Sequence, residues 1–445
     1  MPHAHQALNP MELTRSDIID LDRRHVWHPY TQHDAWELQE PLVVASAQGI
    51  WLTEENGQRW MDGSGSWWVS NLGHGYPRVR DALHAQLDRA AHVIFGGATH
   101  APAANLAARL AEVAPQGLTR TFFSDNGSTA VEVAIRVAYE SWQQRGETAR
   151  RRFVTLEGAY HGDTLGTVSL GSIAAFRHRL EGLLFEVLPI PAGAGATGTA
   201  WEEEMVGALA ATLASRGSEV AAVVVEPLIL GASGMRMYSP ATLRRMHALA
   251  KEAGALFIAD EVFVGMGRTG TLFACEQAGI TPDLLCLSKG LTAGSLPFAV
   301  TMATEELFDA FRGERSRMFH YGHSYCGNPL GCAAALATLD AFAHDGILAQ
   351  AAERIAQMAE STGHWRSWPG VAEVRQTGLV LAVQVAAGSD YTDPVGARIA
   401  QAAARKNLLI RPLGNVVYLV PALTISGAEL DDMLERFGGA IREVV

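Results

Sequence analysis

Two hydrophobic rhythms alternate along this chain. Short runs rich in Val, Ile, Leu and Phe are followed by longer stretches in which Ala, Leu and Arg recur at helical spacing. The first rhythm predicts strands, the second amphipathic helices, and their alternation predicts an α/β fold. Strands are expected at TRTFFS, RFVTLE (152–157), AAVVVEP (221–227), LFIADE (256–261) and LLCLS (284–288). The run 221–225 is continuously apolar, as in strands covered on both faces by helices. Helices are expected at 108–114 and 128–142. A further helical stretch runs from Gly331 into a C-terminal αβ segment, with strands near 379–385 and 416–420. The first 75 residues are irregular and aromatic-rich, with Trp27, Tyr30, Trp51, Trp60, Trp67 and Trp68. A hairpin is expected there, turning at Asn56-Gly57 between 50–53 and 59–61. Trp67 and Trp68 read as neighbouring strand residues, so at most one of them faces a given cavity. The run GAGATG (193–198) reads as a flexible surface loop. The pattern predicts a large central domain over 76–330. A smaller domain is expected to combine the N-terminal segment 1–75 with residues 331–445.

Composition narrows the function. A 445-residue chain with 48% hydrophobic and 18% charged residues is not a disordered protein. Its net charge of −12 argues against general binding to nucleic acid or anionic membranes. The four cysteines, Cys275, Cys286, Cys326 and Cys332, show neither a CxxC pair nor zinc spacing. No metal site and no disulfide framework is expected, and a reducing compartment is. The N-terminal MPHAHQALNPMELTRSD lacks the apolar core of a signal peptide, and no apolar run reaches membrane-spanning length; the cytoplasm is the expected location. The chain has only three lysines, Lys251, Lys289 and Lys406, which simplifies the search for a reactive amine.

Lys289 follows the predicted strand LLCLS and precedes a Gly-rich turn. A side chain at the C-terminal end of a parallel strand points into the crevice where α/β folds bind ligands. Taken alone it reads more readily as an exposed loop lysine. Asp260 ends the strand LFIAD in the same way. A partly desolvated carboxylate there needs a cation, which a protonated pyridine nitrogen or the nearby Arg268 would supply. Gly127 and Ser128 open a helix after TRTFFS, with Ser128 as the expected N-cap. Their free N–H groups and the helix dipole suit a phosphate, although every helix has such an end. Glu132, in the first turn, needs no chemical role. Tyr160 follows RFVTLE, where an aromatic ring either stacks on a planar ligand or closes a loop base. Gly322, His323 and Ser324 precede the helix near Pro329 and suit a second phosphate contact or a plain loop. An amine, an acid, an aromatic and a Gly-Ser cup at successive strand exits form the minimum kit for a pyridoxal phosphate site held through a lysine Schiff base.

The motifs DNGSTAVEVA, YHGDT, VEP, ADEVFVGMGRTG, LSKGLTAG and GHSYCGNPLGCA together resemble the class III (fold type I) pyridoxal-phosphate-dependent aminotransferases over nearly the whole chain. The segments HVWHPYTQ, GSWWVSNLGHGYP, VIFGGATHAPA, GASGMRMYSP and LIRPLGNVVYLVP are similar to the branch that aminates 8-amino-7-oxononanoate in biotin biosynthesis. The resemblance implies a fold type I architecture: a mainly parallel central sheet flanked by helices, plus a smaller α/β domain. It implies Lys289 as cofactor anchor and proton shuttle, Asp260 as partner of the pyridine nitrogen, and Tyr160 over the ring or against substrate. It implies Gly127 and Ser128 at the phosphate, and a homodimer in which His323 and Ser324 reach the neighbouring subunit's phosphate. Tyr30, Trp67, Tyr160, Lys289, Gly322 and Arg411 match the branch's substrate contacts. Physics supports an aromatic wall and a guanidinium fork for a long aliphatic chain ending in a carboxylate. Gly322-His323-Ser324 is similar to members that use lysine as amino donor, where users of S-adenosyl-L-methionine carry Gly-Pro-Thr; Tyr418 matches the latter. The implied activity is a ping-pong transamination, most readily with S-adenosyl-L-methionine. Its rivals are other ω-aminotransferases (ornithine, 4-aminobutyrate or β-alanine type), a non-catalytic cofactor-binding protein, and a racemase or aminomutase on the same fold.

Overall fold

In the computed structural model, which describes residues 13–192, 199–388 and 393–445, a seven-stranded sheet forms the centre. Its strands lie in the order Leu118–Ser124, Ala299–Thr304, Leu284–Leu287, Leu256–Asp260, Val220–Val225, Arg152–Leu156 and Leu188–Ile190. Only Ala299–Thr304 runs antiparallel to its neighbours. All six residues of Val220–Val225 are buried, because helices cover both faces of the sheet. Each such Val contributes roughly 1.5–3 kcal/mol by leaving water. In-register pairing sets Asp260 opposite Cys286, so Asp260 and Lys289 emerge at the same edge of the sheet.

A second cluster of buried residues joins distant parts of the chain. Ile50, Met61 and Leu72 pack with Leu381, Leu419 and Phe437. The hairpin Trp51–Glu54 and Arg59–Asp62 forms as the Asn56-Gly57 pattern predicts, and Arg59–Asp62 then pairs in parallel with Leu408–Leu409. The antiparallel sheet Val371–Thr377, Val380–Val385 and Val416–Leu419 lies in the C-terminal part. The segment 193–198 lies outside the described residues.

Three local expectations are corrected. The helix expected at 108–114 spans Ala101–Val113, because Pro102 fits its first turn and the His100 ring caps its start. The helix after TRTFFS is Gly127–Gln144, and its N-cap is Asn126, not Ser128. Asn126 accepts from the Thr129 N–H, and Thr129 Oγ1 accepts from the Asn126 N–H, a reciprocal capping box that leaves the Ser128 hydroxyl free of this duty. Trp67 and Trp68 are not strand residues. Gly65, Ser66, Trp67 and Trp68 form a left-handed turn with φ of 55°, 46°, 65° and 73°. The two-fold alternation of a strand therefore does not apply, and both indoles reach the same cavity.

Candidate active site

Two cavities meet at Lys289. One, of about 230 Å³, is lined by Gly127, Ser128, Tyr160, Asp260, Val262 and Lys289, among others. The other, of about 460 Å³, is lined by Tyr30, Trp67, Tyr160, Asp163, Phe176, Lys289 and Arg411, among others. Trp68, Tyr160 and Lys289 border both.

Lys289 takes a left-handed φ of 47°, a conformation that costs an ordinary residue about 1–3 kcal/mol and is kept where the surroundings hold it. Ser288 anchors the turn by donating its hydroxyl to the Phe298 carbonyl. The Lys289 amine lies 4.6 Å from the Trp68 ring centre and 5.7 Å from that of Phe263. Burial lowers its pKa to about 8, against the opposing pull of Asp260, Glu226 and Asp163. An amine so poised is a better nucleophile and base near neutrality than an exposed lysine.

Asp260 is buried, and it does not pair with Arg268. Its Oδ2 accepts from His161 Nδ1 at 2.7 Å, and its Oδ1 accepts from the Val262 N–H at 3.1 Å. Arg268 points elsewhere, donating to the carbonyls of Pro421 and Leu379. Burial disfavours charge on His161, but Asp260 and then Glu226 outweigh it and raise the imidazole pKa. Behind Tyr160, the buried Glu226 accepts from the N–H groups of Tyr160 and Gly231, both at 2.9 Å. Burial lifts its pKa to about 7, with His161 opposing and Asp260 adding.

The pocket fits a flat, phosphorylated aromatic aldehyde. The Gly127 and Ser128 N–H groups open an 18-residue helix and so lack intrahelical acceptors. A Cβ on Gly127 would come within 2.6 Å of Val262 Cγ1, so the cradle at the helix start exists only because the residue is glycine. Asp260 supplies a buried carboxyl group held by His161 and the Val262 amide, Lys289 an amine, and Tyr160 and Val262 supply bulk on the walls.

In the larger cavity the Arg411 guanidinium stacks 4.1 Å above the Trp67 ring and 5.8 Å from Tyr30. No carboxylate among the described residues pairs with it. Asp163 bridges two phenols: Tyr30 donates to Oδ1 at 2.6 Å and Tyr160 to Oδ2 at 2.7 Å. Burial first, then Asp163, pushes the Tyr160 hydroxyl well above its ordinary pKa, so it stays protonated. Phe176 closes the aromatic wall against Tyr30 and Tyr160.

Not every expected residue reaches these cavities. Tyr418 is fully buried one layer back, where its hydroxyl accepts from Trp68 Nε1 at 3.1 Å. Gly322 and Ser324 are exposed, and His323 lies 3.6 Å from Asp125, beside the start of the Gly127 helix. Conversely, sequence reasoning gave no role to His161, Asp163, Glu226, Val262 or Phe176. Four of these stand within or beside the motifs YHGDT, VEP and ADEVFVG. Their position at strand exits was the available signal.

Residues 33–441 match the family described as Aminotransferase class-III. The chain is 41% identical over 442 residues to the adenosylmethionine-8-amino-7-oxononanoate aminotransferase of Geobacter sulfurreducens, covering 96% of this chain and 98% of that one. It is 42% identical over 426 residues to the protein of the same name from Synechococcus elongatus, covering 94% and 99%. The crystal structure of the Methanocaldococcus jannaschii enzyme of that name superposes with a TM-score of 0.93 at 31% identity, over 97% of this chain and 100% of the other. A PLP-bound amine transaminase from an uncultivated Pseudomonas species follows with a TM-score of 0.89 at 32% identity, over 95% and 99%. With two cavities joined at a desolvated lysine on this architecture, the chain belongs to the class III aminotransferases, which share the fold type I arrangement.

Proposed function

We propose that this protein transfers an amino group from S-adenosyl-L-methionine to 8-amino-7-oxononanoate, with pyridoxal phosphate as cofactor. The observation that carries the reading is the placing of Lys289 between a cavity with a phosphate-type cradle and a cavity ending in an unpaired guanidinium. Pyridoxal phosphate, when bound, supplies an aldehyde to carry the amino group and a ring to spread negative charge. Gly127 and Ser128 would hold its phosphate, Asp260 its ring nitrogen, Tyr160 and Val262 its faces, and Lys289 its aldehyde.

The chain's own residues perform the rest. Lys289 Nζ would move the proton from the donor carbon to the cofactor's aldehyde carbon and, in the second half of the cycle, move one back to the acceptor carbon, so that the amine ends each half unchanged. His161 keeps Asp260 oriented through its Nδ1–H. The aromatic wall of Tyr30, Trp67 and Phe176 binds the aliphatic chain of the acceptor and excludes water, and Arg411 holds its terminal carboxylate. The acceptor also carries an amine beside its ketone. Asp163, next to Tyr160, offers that cation a carboxylate and thereby orients the ketone toward Lys289. The protein acts as a cytoplasmic homodimer in this reading; no single described helix is long and apolar enough to cross a membrane. The exposed Met318 and Tyr325 flank Gly322, His323 and Ser324 in sequence, and Tyr325 packs on His92, two residues before the exposed Ile94, which supports a partner covering that face.

Lysine as donor is the second reading, favoured by the Gly322-His323-Ser324 triplet and by a carboxylate, Asp163, able to receive a side-chain ammonium. The two are separated by a half-reaction. Purified holoenzyme mixed with S-adenosyl-L-methionine loses the cofactor's visible absorbance band, whereas lysine leaves it unchanged. Bleaching by lysine alone transfers the assignment to the second reading, and bleaching by neither overturns both.

A further inference from the structure

The left-handed turn that carries Trp67 and Trp68 is held by a polar node whose Asp62 and His74 lie outside both cavities and whose Ser66 borders the larger one. Asp62 ends the strand Arg59–Asp62 and is only 2% exposed. Its Oδ2 accepts from the Ser66 hydroxyl at 2.7 Å and from His74 Nε2 at 2.9 Å, and its Oδ1 accepts from the Ser64 N–H and hydroxyl at 3.2 and 3.1 Å. Burial opposes ionisation of this carboxyl, yet the bonds from His74 and Ser66 hold it below its ordinary pKa, so it is a carboxylate. His74 is itself pinned, since its N–H and carbonyl both bond to Gly49, at 2.7 and 2.9 Å.

The node reaches both parts of the substrate-facing wall. Ser66 is within the strained turn, whose next residue is the Trp67 shelf below Arg411. Asp62 is in register with Leu409, two residues before Arg411, and the Gly63 N–H donates to the Leu409 carbonyl at 2.9 Å. The buried carboxylate thus holds the turn that carries the indole, while the backbone of the same segment pairs with the strand that leads to the guanidinium. A run of non-glycine residues at positive φ does not persist without such restraint. We propose that Asp62, with Ser66 and His74, is a positioning unit for acceptor recognition: it sets the Trp67–Arg411 stack and, through it, the grip on the acceptor's carboxylate. This rests on the reading of Arg411 as the carboxylate site.

The test compares two amino ketones on the holoenzyme, 8-amino-7-oxononanoate and its carboxylate-free counterpart 2-aminooctan-3-one. In Asp62→Asn the KM for the carboxylate substrate rises about 10- to 100-fold with kcat little changed, the size expected when a binding group is displaced by about 1 Å. The loss in kcat/KM for 2-aminooctan-3-one is at least about threefold smaller, because that substrate meets the Trp67 wall through its chain but gains nothing from Arg411. Ser66→Ala gives the same pattern at smaller amplitude and serves if Asp62→Asn does not fold. His74→Leu reproduces the defect, and His74→Gln, which keeps a donor near Asp62, rescues it. Equal losses with both substrates, or no loss with either, overturn the unit. Arg411→Ala is run alongside. If it loses the preference for the carboxylate substrate while the node variants keep it, only the positioning unit fails; if neither loses it, the carboxylate reading fails too.

Discussion

The two cavities beside Lys289 are built by opposite means. The smaller one is a product of the sheet: Gly127, Tyr160, Asp260 and Lys289 each follow or end a strand, and hydrogen bonds among Asp260, His161 and the Val262 amide fix its floor. The larger one is assembled from Tyr30, Trp67, Phe176 and Arg411, which no single strand edge supplies. Tyr30 and Trp67 hold positive φ there, whereas of the smaller cavity's four strand-exit residues only Lys289 does. The difference separates two tasks. A cofactor pocket shared by a family is read from regular backbone, whereas substrate recognition is placed on irregular backbone that can change without disturbing the sheet.

The most severe way to break this arrangement is to remove the residue common to both cavities. Lys289→Ala deletes the proposed anchor and proton shuttle together, and the turnover number falls by about 10⁴-fold. Its holoenzyme also loses the visible band that the wild type shows near neutral pH. Thermal unfolding sharpens the point. Lys289 is desolvated, and its left-handed φ strains alanine no more than lysine, so the variant without cofactor melts no lower than the wild type without cofactor. A lower midpoint would mean that the lysine serves packing.

The same division explains what was legible in the sequence. Lys289, Asp260 and Gly127 stand out locally, because an apolar run followed by a polar or small residue marks a strand exit whatever the rest of the chain does. Asn126 was passed over as the cap, since Ser and Asn serve equally well there and only the reciprocal bond to Thr129 decides between them. The turn at Trp67-Trp68 was not legible at all. Propensity places adjacent tryptophans in a strand, whereas the turn is bound to the buried Asp62 carboxylate through Ser66, a local side-chain bond that leaves no mark on the hydrophobic pattern. Asp163 and Glu226 are single letters in recognisable motifs, and their settings depend on Tyr30 and Tyr160, which are 133 and 66 residues away in the chain. Tyr418 was expected at the substrate, but it supports Trp68 from behind.

A milder break falls on the larger cavity alone. Arg411→Ala removes a charged fork that contributes about 1.5–3 kcal/mol to holding a carboxylate, or roughly 10- to 100-fold in KM for the keto acid. The donor half-reaction, followed by the visible absorbance, keeps its rate if Arg411 serves the acceptor only. A parallel fall in both half-reactions would merge the two substrates onto one guanidinium and weaken the separation of tasks argued above.

The smallest effect probes the joint between the cavities. Glu226 holds Tyr160, a wall of both, and Gly231, which precedes the pocket residue Ala232. Burial raises its pKa from 4.5 to about 7, so between those values the folded protein binds a proton that the unfolded chain does not. The sign follows: this contribution to stability is complete below about pH 4.5 and is lost as the pH rises through 7. Glu226→Gln cannot titrate, and its amide can accept from only one of the two N–H groups, so it is less stable than wild type at pH 5. The gap between the two proteins then narrows by about 1–3 kcal/mol toward pH 8, as wild type alone gives up its proton. A gap that stays constant across this range would place a permanent carboxylate at position 226, and the wall shared by the two cavities would rest on a charge in place of a neutral acid.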